Sequence, residues 1–161
     1  MPRRLIALLI AAVIPLSSCG GDDGSPFTPE PAEEEAATEG PAEDVEVIEA
    51  WVEAVSESDM DAAAEFFAIP SVAENGITVR IETRDDAVLF NESLPCGAEL
   101  ESTESQGEFI TATFRLKQRP GVPACPGDGN VAHTSFVIED GAIVEWRRVA
   151  LPGPEADEQA A

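Results

Sequence analysis

Trp51-Val52-Glu53-Ala54-Val55 and, after Ser56 and Glu57, Ser58-Asp59-Met60-Asp61-Ala62-Ala63 mark the joint between two amphipathic helices. Val45, Ile48, Trp51, Val52 and Val55 recur at three- and four-residue spacing, the apolar stripe of a helix, with Asp44 placed to cap it. Glu46, Glu49, Glu53 and Glu57 fall mostly off that stripe. Asp59 is suited to cap the second helix, whose inward residues are Met60, Ala63, Ala64 and Phe67, and Pro70 bars its extension. Ile77, Val79 and Ile81 alternate with polar residues and predict a half-buried strand. Thr83 and Asp86 form a capping box for a third helix carrying Ala87, Val88 and Phe90, which ends before Pro95.

Downstream of Pro95 the periodicity changes from helical to alternating. Residues 98–105 form a weak polar strand, Gln106-Gly107 a turn and residues 108–117 a stronger strand. A loop dense in Pro and Gly spans 119–130. Residues 131–139 and 142–149 flank Asp140-Gly141, a strong hairpin signal. Helices first and an antiparallel sheet after them predict an α+β domain over residues 45–151.

The helix pair around Trp51 and Asp59, with the closing hairpin Ile138-Glu139-Asp140-Gly141-Ala142-Ile143-Val144-Glu145-Trp146-Arg147, resembles the NTF2-like superfamily, which includes SnoaL-type polyketide cyclases and ketosteroid isomerases. The resemblance implies a cone in which a curved antiparallel sheet wraps a long helix and leaves a pocket at the open end. Such pockets bind small apolar molecules, serve as enzyme sites in some members, and are protein-contact modules in others. Trp51, Phe67, Phe90, Phe114 and Trp146 are the candidates to line the pocket, although most aromatic residues in such a stripe pack as core.

Catalytic candidates are few. The sole histidine, His133, is a candidate general base. With Asp61 it makes the acid-or-histidine set that the resemblance to SnoaL-type cyclases implies, but no motif fixes either residue in that role. The chain has no tyrosine, which removes the oxyanion donor used by ketosteroid isomerases. There is no Gly-x-Ser-x-Gly elbow and no phosphate-cradling glycine loop followed by Lys and Ser or Thr. A zinc site built on histidines cannot exist with one histidine, and Gly127-Asp128-Gly129-Asn130 lacks the full calcium-loop pattern, so neither metal nor cofactor is expected.

The front of the chain predicts its location. Arg3 and Arg4 precede an apolar run over 5–14, too short to span a bilayer, which needs about 20 residues. Leu16-Ser17-Ser18-Cys19 resembles the lipobox of bacterial lipoproteins. That resemblance implies cleavage after residue 18 and lipidation of Cys19, which would anchor the chain at the extracytoplasmic face of the cell membrane. Acyl chains in pairs hold a protein stably where one does not. Residues 20–44 carry nine acids and no base and read as a disordered tether, with a reach of about 80–90 Å at about 3.3–3.6 Å per residue. Residues 152–161 read as a second acidic tail.

In an exported chain Cys96 and Cys125 are an even pair, expected to form a disulfide closing about 30 residues and contributing about 3–4 kcal/mol through the unfolded state. Without the leader arginines the chain has 7 basic residues against 32 acidic ones, a net charge of −25, which repels nucleic acid. The first expectation is therefore a lipid-anchored binding module for a small apolar ligand or a protein partner. An isomerase- or cyclase-like enzyme using His133 or Asp61 is the second, and a homodimer paired through its sheet is the third.

Overall fold

The structure, a computed structural model, describes residues 38–150; the leader, Cys19, most of the acidic segment and the C-terminal tail lie outside the described residues. Helix α1 (Ala42–Glu57) begins ahead of the expected cap, with Pro41 at the cap position. The Pro41 carbonyl accepts from the backbone N–H groups of Asp44 and Val45, both at 3.0 Å, and a proline there sacrifices no helical donor. Asp44 lies in the first turn beside Glu43, where a negative charge meets the positive end of the helix dipole. Thr38 bridges to Ser105, so ordered contacts start before residue 45.

The helix joint is local chemistry. Ser58 adopts a left-handed conformation with φ 64°, and the N–H of Asp59 bonds back to Ala54 O at 2.9 Å. Asp59 then caps α2 (Met60–Glu65) by accepting from Ala62 N at 3.0 Å.

Next comes a strand that the alternation does not announce, β1 (Phe67–Glu74), so Phe67 is a strand residue rather than part of the second helix. Pro70 hides it. The parallel ladder to β6 (Ala142–Val149) is interrupted between Phe67 and Val72, and the antiparallel ladder to β2 (Thr78–Ile81) starts only at Ser71. The missing proline N–H thus falls where no ladder bond is required. In β2 Ile81 is fully buried, but Ile77, expected inward, lies in the turn and is 72% exposed.

Helix α3 (Arg84–Glu92) carries the expected capping box between Thr83 and Asp86. Then β3 (Gly97–Gln106), β4 (Phe109–Lys117) and β5 (Val131–Glu139) complete a six-stranded sheet in the order β2-β1-β6-β5-β4-β3. All neighbours run antiparallel except β1 and β6. Asp140 and Gly141 both take positive φ, 50° and 74°, as a two-residue hairpin of the primed type demands. Register shifts at Leu100/Ser102 and Val137/Ile138 bend the strands, and the curved sheet wraps α1.

The core lies between α1 and the concave face. Trp51 meets Phe67, Phe114, Phe136 and Trp146 edge-on, with centroids 5.6–6.5 Å apart. Its indole N–H donates to Asn91 Oδ1 at 3.0 Å, and the fully buried Asn91 donates in turn to Ala87 O at 2.9 Å. At Gly97 a Cβ would come within 2.9 Å of the Ser56 Cα, so only glycine lets α1 lie this close to β3. The Ser56 hydroxyl seals that contact, accepting from Ala98 N and donating to Ala98 O, each at 2.9 Å.

The capping box predicts a pH dependence. The Thr83 hydroxyl, and next the Glu82 backbone N–H, hold the Asp86 carboxyl below its ordinary value. A depressed native pKa adds stability above the unfolded value, about 3.9, and loses it as pH falls through the native value. Urea unfolding should therefore show Asp86→Asn less stable than wild type at pH 7, with the gap closing at acid pH. An unchanged gap would contradict the assignment.

Candidate functional site

A cavity of about 330 Å³ opens between the C-terminal half of α1, the segment after α3 and the concave ends of β4, β5 and β6. Strand alternation selects its walls. Phe114 and Leu116 on β4, Ala132 and Thr134 on β5, and Trp146 and Arg148 on β6 share the inward face. Trp51, Val52 and Val55 supply the helix side. Both tryptophans of the chain line this space.

The long loop closes one side. Cys96 and Cys125 are joined in a disulfide across 29 residues, with Cα atoms 5.0 Å apart. Gln118 organises the loop from within: its Oε1 accepts from Cys125 N at 2.7 Å and its amide donates to Arg119 O at 2.8 Å. The buried Arg119 ties the loop to both helix ends, donating to Leu94 O at 2.8 Å and to Ser58 Oγ at 3.2 Å. A cation among carbonyls that follow a helix C-terminus is electrostatically matched. Gly127 then sits so close to Leu116 that a Cβ would approach its Cδ1 within 2.9 Å. Pro126 and Gly127 thereby become cavity wall.

Of the expected lining residues, Trp51, Phe114 and Trp146 face the cavity. Phe67 and Phe90 do not. They are buried behind the tryptophans, Phe90 against Trp146 at 5.1 Å and Phe67 against Phe90 at 5.7 Å. The two catalytic candidates are apart from the cavity and from each other. His133 alternates with the inward Ala132 and Thr134, so its half-buried ring lies on the opposite sheet face, Nδ1 3.2 Å from Thr113 Oγ1. Asp61 is exposed in the first turn of α2, because Met60, Ala63 and Ala64 take the inward face. No group of metal-ligating side chains is found among the described residues.

Sequence reasoning missed Asn91, Arg119, Thr134 and Arg148. Asn91 had a signal, since it follows Ala87 by one helical turn on the inward stripe. Arg148 had one too, two residues beyond Trp146 in a strand. Buried Arg119 had none, because its partners are two backbone carbonyls and the hydroxyl of a serine 61 residues away.

No family model and no curated protein matches the chain. Solved structures do. A SnoaL-like protein of unknown function from Burkholderia thailandensis is 13% identical with a TM-score of 0.52, covering 70% of this chain and 98% of its own. An NTF2-like protein of unknown function from Cytophaga hutchinsonii is 12% identical with a TM-score of 0.52, covering 69% and 92%. A candidate ketosteroid isomerase from Kribbella flavida is 13% identical with a TM-score of 0.51, covering 74% and 87%. The fold is the NTF2-like cone. At these identities the likeness concerns the fold alone, and function has to come from the site.

The loop architecture makes a prediction. Replacing Cys96 and Cys125 by serine should lower stability by about 3–4 kcal/mol. It should also raise amide hydrogen exchange across the loop that carries Pro126 and Gly127. Unchanged protection in that loop would show that Arg119 and Gln118 suffice to hold it.

Proposed function

We propose that this chain is a lipid-anchored binding module whose cone cavity takes up a small apolar molecule at the extracytoplasmic face of the cell membrane. The observation that carries the ligand part is the cavity itself. It is walled by Trp51, Phe114 and Trp146, and its volume lies at the low end of the about 300–1,000 Å³ typical of ligand pockets. Acid–base catalysis needs a titrating group within reach of the bound molecule. Among the described lining residues there is no Asp, Glu or His, which favours binding over an isomerase- or cyclase-like reaction.

The anchor rests on the resemblance of Leu16-Ser17-Ser18-Cys19 to a lipobox, with the acidic segment as spacer. The net negative charge would keep the domain off anionic head groups, leaving the acyl chains to hold it. The same exported location favours the Cys96–Cys125 bridge that walls the cavity.

Both tryptophans report on the cavity, so fluorescence tests the reading directly. Titration of the full chain with the uncharged probe N-phenyl-1-naphthylamine should give saturable energy transfer from tryptophan. Ala132→Phe, which places a ring in the cavity, should abolish it. Equal transfer in both proteins would refute the cavity as the binding site. Cys19→Ala should release the protein from the membrane fraction, and retention there would refute the anchor.

A further inference from the structure

The cavity wall is apolar with one exception at its rim, and that exception is a cation. Arg148 is the sole charged residue among those lining the cavity, in a chain with 9 basic and 32 acidic residues. Its neighbour Arg147 alternates to the other sheet face and pairs with Glu145. Among the described residues Arg148 has no carboxylate partner. Among those residues its guanidinium makes one polar contact, a long one of 3.5 Å from Nη1 to Asn75 Oδ1 at the same rim. Arg148 stands directly across the β5–β6 ladder from Thr134, a buried residue that also lines the cavity. One inward step along β6 is Trp146, whose ring forms part of the apolar wall.

We propose that the cavity selects an amphipathic monocarboxylate, its apolar body against Trp51, Phe114 and Trp146 and its carboxylate at the rim against Arg148. This deepens the binding reading above and rests on it. The guanidinium fork matches a carboxylate in two parallel hydrogen bonds. A single arginine neutralises a single charge. A phosphate monoester, carrying about −1.5 to −2 at neutral pH, would leave excess negative charge beside an apolar wall in an already acidic protein. The absence of acidic side chains among the described lining residues removes the groups that would repel such a ligand.

The test is displacement of the naphthylamine probe from the full chain by 2-naphthoate, 2-naphthamide and 2-naphthyl phosphate, which share one ring system. Wild type should bind 2-naphthoate about tenfold more tightly than 2-naphthamide, the scale of one charge-assisted contact. The phosphate should bind more weakly than the carboxylate. Arg148→Gln should erase the preference for the carboxylate while leaving 2-naphthamide binding unchanged, and Arg148→Lys should keep part of it. Equal binding of acid and amide by wild type would overturn this inference and leave the cavity reading standing. Tighter binding of the phosphate, or a preference that survives in Arg148→Gln, would overturn it as well. If none of the three displaces the probe, or the probe itself does not bind, the cavity reading fails and this inference fails with it.

Discussion

One buried hydrogen bond, from the Trp51 indole to Asn91, holds the molecule in register. Trp51 projects from α1 into the concave sheet, where four aromatic rings meet it edge-on. Such contacts favour burial but leave rotation about the helix axis loosely defined. The N–H bond to Asn91, itself locked onto Ala87 O, removes that freedom and couples α1 to α3. In a low-dielectric interior a fully satisfied polar pair specifies one arrangement, because every alternative leaves a donor or acceptor unpaired.

The cavity is a consequence of this registration. With Trp51 pinned toward α3, the sheet face beyond Phe114 and Trp146 is left uncovered by the helix. The loop after β4 covers it only in part. That loop is rigidified by three separate devices, the Cys96–Cys125 bridge, the Gln118 side chain and the Arg119 guanidinium. A buried arginine is expensive unless its donors are used. Here its terminal nitrogens donate to the Glu92 and Leu94 carbonyls at the end of α3 and to the Ser58 hydroxyl at the end of α1, so the loop that walls the cavity is fastened to the same helices that Trp51 aligns.

Much of this fold was legible before the structure. The stripe from Ile48 to Val55, the Thr83 capping box and the Asp140-Gly141 turn rest on local chemistry that sequence displays directly. The strand Phe67–Glu74 was not, because Pro70 argues against a strand unless the ladder is known to break there. Ile77 was misplaced because alternation does not say where a sheet ends. The site was less legible than the fold. Which of five aromatic residues face a cavity and which stand behind it depends on sheet curvature, and His133 and Asp61 fell outside because strand parity and helix phase turned them away. Arg148 shows parity working in the opposite direction, since of two adjacent arginines Arg147 points outward into an ion pair and Arg148 lines the cavity with no carboxylate partner among the described residues.

The chain therefore joins an acidic exterior to an apolar, cation-rimmed interior, and the Trp51–Asn91 bond keeps that interior open. Hydrogen exchange at the two indole N–H groups, followed by NMR, tests this most directly. The Trp51 indole proton should exchange only through global unfolding, with a protection free energy equal to that of the slowest core amides. Exchange of that proton through a local opening well below the global unfolding free energy would contradict the account.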